Sequence, residues 1–313
     1  MSTGSNARRR AGERVRDGRV TGGRPEAAPQ LAGLAVWAAA MVLLPAPLAA
    51  RILLLAPLVI VPRLIPLLLP RGWIGRFEGW PSMLAALPLL IAFSLPTGPP
   101  AAVFVLPWLA LALAGLGAAL RHGLPSLPSI LHPRRLPELG IDVALGFWAV
   151  GATFAMVDRL GLQTGFSSAI VLLTAIHFHF AGFALLALAS LLAASRPWLR
   201  APVLGLISGI PLTAAGFVLT SDPVNAVGAL VVGSSGIGVA VALVSGGGSA
   251  RSRWLARAAG VALLVGMPMG IAWSLAILLG QAFLDLDTMI RTHGVLNSLA
   301  VLLGVVSYRA PDV

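Results

Sequence analysis

Cysteine and lysine are both missing from this 313-residue chain. Without a thiol there are no disulfides, no thiolate metal centres and no thiol nucleophile. Without lysine there is no Schiff-base chemistry, and all 22 basic residues are arginine. Charge of either sign is scarce: charged residues make up 11% of the chain, against about 25% in ordinary soluble proteins. Tyrosine occurs once. The sequence also lacks a Walker motif, a H-E-x-x-H, a G-x-S-x-G and a dinucleotide fingerprint, which sets aside ATP-driven transport and the common hydrolases.

What is present is apolar. Hydrophobic residues are 58% of the chain and the mean hydropathy is +0.91. The apolar residues fall in long runs of Leu, Ala, Val, Ile and Gly, not in the alternating segments of an outer-membrane barrel. The expectation is an all-α polytopic transmembrane bundle. A span takes about 20 apolar residues, and ten windows come close: Leu31–Ala50, Ile52–Leu69, Met83–Leu95, Ala101–Leu120, Ile141–Val157, Phe166–Ala194, Pro202–Thr220, Val224–Val244, Leu255–Leu279 and Thr288–Val306. Met83–Leu95 is short and Ile52–Leu69 carries Pro57, Pro62, Arg63 and Pro66, so either could be re-entrant and the range is eight to ten spans.

The arginines orient the bundle. Seven lie in the first 24 residues, in a tail over residues 1–30 that is too polar to build a core. The net charge of +11 therefore signals tail and membrane surface, not nucleic acid. With that tail inside, ten spans bring a further 11 arginines to the cytoplasmic side and leave Arg51, Arg159 and Arg291 outside, with Arg63 inside span two. This bias predicts a plasma-membrane protein with N- and C-termini cytoplasmic, one helical domain over 31–309 and a short tail at 310–313.

Candidate chemistry centres on T-A-I-H-F-H-F-A-G-F, Thr174–Phe183, because His177 and His179 lie in the sixth span, where an ionisable group is a functional candidate by default. Two residues on a helix are about 200° apart, so the rings point in nearly opposite directions. They share a ligand only if the helix is distorted, for instance by a π-bulge near Gly182. Otherwise one faces a site and the other bonds across a helix interface. Span ten supplies His293 and Asn297, four apart on one face with Met289 on the same stripe. Asp158, Thr164 and Asp287 belong to the same half of the bundle, and a carboxylate there could fix a histidine tautomer. Plainer roles compete: Asp287 as an N-cap or as an i,i+4 partner of Arg291, Asp158 with Arg159 as a solvated helix end, and the histidines as interhelical hydrogen bonders. On the cytoplasmic side, Arg63 and the group His132, Arg134, Arg135, Glu138 and Asp142 are a second candidate region, suited to a phosphate head group or simply to topology.

Thr174–Phe183 together with M-I-R-T-H-G-V-L-N-S, Met289–Ser298, resembles the YndJ-like family of bacterial integral membrane proteins, and L-L-L-A-P-L-V-I-V-P, Leu53–Pro62, is similar to a further segment of it. Ser298 stands where such proteins usually carry alanine. The resemblance implies a polytopic membrane protein, often labelled a transporter, with His177, His179, His293 and Asn297 as its site.

Two functions follow as expectations. One is a membrane-embedded enzyme on an isoprenoid- or lipid-like substrate, working by acid–base cyclisation or isomerisation or by metal-dependent oxidation. In it His177, His179 and His293 act as acid–base groups or metal ligands, Asn297 orients one of them, Asp158 or Asp287 supplies the acid, and Arg63, Thr164 and Met289 contact substrate. Its cofactor would be a histidine-bound metal ion or none. The other is a secondary transporter using the same histidines for a proton or a small solute. A structural subunit held together by them is a third.

Overall fold

A computed structural model describes residues 27–69, 79–123, 133–246, 249–281 and 283–308. The Arg-rich tail, most of the loop from Pro70, His132 and the residues after Tyr308 lie outside the described residues. Each of the ten apolar windows forms helix: α1 (Ala27–Leu43), α2 (Leu48–Leu68), α3 (Trp80–Ser94), α4 (Leu106–Gly123), α5 (Leu136–Leu160), α6 (Ser168–Ala193), α7 (Pro197–Val218), α8 (Asp222–Val244), α9 (Ala250–Leu278) and α10 (Leu286–Ser307). Seven of them, α2 and α5 to α10, are long and apolar enough to cross a membrane. The window Ile52–Leu69, suspected of being re-entrant, is one of the seven.

Three of these helices widen to π-helical turns, at Ala56–Ile60 in α2, Phe178–Leu185 in α6 and Ile290–Gly294 in α10. In α2 the cause is legible. Pro57 and Pro62 carry no N–H, and a proline ring clashes with the carbonyl one turn back, so a wider turn relieves the crowding. The wide turns of α2 and α6 pack against each other and both touch α10.

α2 and α6 form the centre. In the most apolar stretch of α2 83% of residues are buried, and in α6 61%. Leu54, Leu58, Ile60 and Leu64 are sealed, as is α6 from Phe183 to Ala189. Around them α7 packs on α8, α8 on α9 and α9 on α10, while α5 joins α4 to α6. The outer surface is a belt of exposed apolar side chains, among them Leu31, Leu113, Leu204, Val261 and Val265. Unpaired from water, such a surface belongs against lipid.

The two ends differ. Asp222, Asp285 and Asp287 sit at one, beside the connections 161–167, 219–221 and 279–285. At the other, arginines close helix C-termini: Arg63 Nη2 donates to the Tyr308 carbonyl at 3.0 Å and Arg196 Nη1 to the Ala242 carbonyl at 3.0 Å. A cation there satisfies orphan carbonyls and meets the negative end of the helix dipole. Exposed Trp80, Trp198 and Trp254 begin α3, α7 and α9 at this arginine end, as interfacial tryptophans do.

Candidate functional site

The H-x-H pair divides as its spacing requires. His179 is 1% exposed and committed on both nitrogens: Nδ1 donates to the Ala175 carbonyl at 2.8 Å, and Nε2 accepts from Trp108 Nε1 at 3.1 Å. Trp108 lies nearly parallel to it, centroids 6.0 Å apart, and Gly151 of α5 gives the ring its room. This imidazole bonds α6 to α4 and has nothing left to offer a ligand. His177 points the other way. Its Nδ1 donates to the Leu173 carbonyl at 2.7 Å, which leaves the lone pair on Nε2, and no described residue hydrogen-bonds that nitrogen. The accessible surface of His177 faces an internal cavity.

His293 reaches the same cavity from α10. Its Nδ1 donates to the Gly266 carbonyl of α9 at 2.9 Å, so its lone pair is also on Nε2, 3.4 Å from the Asn297 amide nitrogen. Asn297, one turn on, donates to the His293 carbonyl at 3.0 Å and lies against the ring. The slot that receives both side chains is Gly266–x–x–x–Gly270 on α9. A methyl group at Gly270 would stand 2.7 Å from His293 Cε1, and one at Gly266 would collide with the Asn297 amide. Small residues four apart let the helices approach this closely.

The cavity holds about 240 Å³ and lies between α6, α7, α8, α9 and α10, with Ile52 of α2 at its edge. Its lining begins near the acidic end with Ile170, Phe217, Asn225, Ser274 and Leu286 and closes on Leu185, Met267 and Val301, which are 0%, 7% and 2% exposed. Beneath this floor Leu188, Leu243, Ala259 and Gly304 pack together. Near the mouth a second polar group spans three helices: Ser274 Oγ donates to Asn225 Oδ1 at 2.8 Å, and Asn225 Nδ2 reaches toward the Thr213 carbonyl at 3.4 Å. Counting rises of ~1.5 Å per residue from the helix ends, this outer group lies roughly 5 to 8 Å deep and His177, His293 and Asn297 roughly 10 to 17 Å deep. None of the described lining residues is Asp, Glu, Lys or Arg.

Met289 lines the cavity as its stripe predicts. The remaining candidates do not meet it. Asp158 is 7% exposed, paired with Arg159 at 2.7 Å, and Arg159 lies 4.6 Å above the Phe93 ring of α3. The expected solvated helix end is thus a buried ion pair locking α5 to α3. Asp287 does pair with Arg291, at 2.6 Å on the exposed surface, but the N-cap of α10 is Asp285, which accepts from the Thr288 N–H at 2.7 Å. That bond holds the Asp285 carboxyl below its ordinary range. α10 starts two residues earlier than the apolar window suggests, which displaces the cap. Thr164 is exposed in the connection before α6. Arg63 bonds Tyr308, about 22 Å along α10 from His293 at ~1.5 Å per residue. Of the second candidate region, Asp142 pairs with His122 at 3.0 Å.

With His179 turned away, the three-histidine metal site is not assembled, and among the described residues no three His, Cys, Asp or Glu side chains gather around a metal position. Thr213, Asn225 and Ser274 were missed by sequence reasoning. An asparagine a few residues inside a membrane helix is itself a signal, because its amide needs partners there.

A family model described as YndJ-like protein matches residues 51–301, most of the chain. The chain belongs to the YndJ-like family. No curated protein and no solved structure matches it. The three segments that carry the YndJ-like resemblance are the three that contain the π-helical turns, and two of them deliver His177 and His293 to the cavity.

Proposed function

We propose that this YndJ-like protein is a membrane-embedded acid–base enzyme acting on a small lipophilic molecule, with His177 and His293 as the proton-transferring pair. The observation that carries the reading is the convergence of two imidazoles on one apolar cavity, each with Nδ1 held by a backbone carbonyl, the Nε2 of His177 without a partner among the described residues and that of His293 met only by the Asn297 amide nitrogen at 3.4 Å. One Nε2 takes a proton from the bound molecule, and that same proton is returned at a second position, by the imidazolium so formed or after passing to the other ring, so the reaction is an isomerisation with no net change in composition. Asn297 holds the His293 side chain in place. The apolar walls exclude water from the transfer. Cyclisation started by a carboxylic acid draws no support from this geometry, since Asp158 and Asp287 lie elsewhere.

The reading includes orientation. Ten alternating spans put the connections 161–167, 219–221 and 279–285 on the outer face and Arg121, Arg134, Arg135, Arg196, Arg200, Arg251, Arg253 and Arg257 on the cytoplasmic face, with both termini inside. The cavity then opens toward the outer face. Solute transport is the second reading, favoured by the proline-interrupted α2 at the centre of the bundle, because irregular helices beside a midplane cavity are the usual form of a carrier site.

The test compares lipid extracts of cells lacking the protein with cells carrying the parent chain, His177→Ala or His293→Ala. A lipophilic species should accumulate in the null strain, disappear with the parent chain, and persist with either variant. Variants that restore the profile fully would end the acid–base assignment.

A further inference from the structure

The charge of the ligand can be read from its container. Each polar side chain that the cavity presents, at either depth, is uncharged or is an imidazole with its proton already given to a backbone carbonyl. An anion placed there would lose its water and meet no cation. The arginines of this end do not line the cavity: Arg51 is directed to the Met41 carbonyl at 2.6 Å, Arg159 is paired with Asp158 and Arg291 with Asp287. A cation would find no carboxylate. Desolvating an uncompensated charge is too costly for either to be the natural occupant.

The hydrogen-bonding character is equally one-sided at depth. His177 offers an Nε2 lone pair and no N–H, so the bound group facing it must donate, while the His293 Nε2 has the Asn297 amide nitrogen 3.4 Å away. One N–H of the Asn297 amide is used on the His293 carbonyl and the other faces the His293 ring. A ketone, ether or hydrocarbon cannot supply what the His177 nitrogen accepts, whereas a hydroxyl can. Nearer the mouth, Ser274 and Thr213 have given their protons to Asn225 and the Gly209 carbonyl, so their oxygens also accept. The volume, about 240 Å³, is below the range of about 300–1,000 Å³ that holds drug-sized ligands. It admits a single short chain or ring system and excludes a whole phospholipid.

We infer that the ligand of this cavity is an uncharged lipophilic alcohol whose hydroxyl donates to the Nε2 atom of His177, beside His293. Resting on the acid–base reading for its site, the inference removes phosphorylated and carboxylated lipids from the substrate class.

The experiment places the full-length protein in nanodiscs and titrates brominated decanol, decane and decanoate, the last at about pH 9 so that it is ionised. Trp273 lines the cavity and reports occupancy by quenching, and Trp273→Phe identifies that component. Bromodecanol should quench saturably and bind about fivefold tighter than bromodecane, as one net hydrogen bond predicts, while bromodecanoate should not compete. His177→Ala combined with His293→Ala should bring the alcohol down to the level of the alkane, and His179→Phe, if folded, should preserve the preference. Equal binding of alcohol and alkane, or tighter binding of the carboxylate, overturns the inference. The two readings fail separately. An alcohol preference alongside unchanged lipid extracts retires the enzyme and keeps the ligand class, and altered extracts without that preference do the reverse.

Discussion

At the scale of single residues, two histidines two positions apart have unrelated jobs. His179 is part of the scaffold, so His179→Ala should cost about 1–3 kcal/mol, the range for leaving a buried partner unsatisfied, read as a lower melting temperature in detergent. His177 bonds only the carbonyl of its own preceding turn, and His177→Ala should leave that temperature nearly unchanged. Asp158 and Arg159 should behave as a coupled unit. Asp158→Ala strands a guanidinium whose side chain is 13% exposed and should cost about 3–5 kcal/mol. Adding Arg159→Leu should recover much of it, and a double-mutant cycle measures the coupling. The alternation of the H-x-H pair was legible because rotation per residue is fixed by the helix. The fate of Asp158 was not, because it depends on Phe93 and Ala92, which are distant in sequence and arrive only with α3.

At the scale of elements, the π-helical turns set where the cavity side chains aim. Deleting Thr292 would return Ile290–Gly294 to regular α-helix and turn His293 by about 100° against the residues before it. The expected result is a folded protein that has lost the alcohol preference. Gly270→Ala acts on the same ring from outside, since the added methyl meets His293 Cε1, and should mimic His293→Ala in lipid extracts. Of these features the sequence displayed the prolines of α2 and hinted at the distortion near Gly182, but nothing in I-R-T-H-G marks a wide turn. Glycines 266 and 270 look like ordinary membrane-helix glycines until α10 is placed against them. The start of α10 was legible to within two residues, whereas α1 ends seven residues before its window and α4, α5, α7 and α9 begin five residues away from theirs, because polar residues and prolines at the ends carry no apolar signal.

At the scale of the molecule, the ten apolar windows foretold the helices, and what they could not give was which helices surround the cavity. That depends on the order of packing, α7 on α8 on α9 on α10, closed by α6. The absence of native cysteine makes the proposed orientation directly testable. Thr164→Cys and Gln281→Cys should react with an impermeant maleimide on intact spheroplasts, and Ser195→Cys and Ser245→Cys only after lysis. All four positions are exposed in connections between helices. The same property allows the convergence of α6 and α10 to be measured in one step. His177→Cys paired with His293→Cys should be joined by a short membrane-permeant bismaleimide, detected as an intact chain after cleavage at a site engineered between α7 and α8. His179→Cys paired with His293→Cys should remain unjoined. Cross-linking through position 179 with none through position 177 would mean that the cavity histidine has been misassigned and would contradict the account of the site.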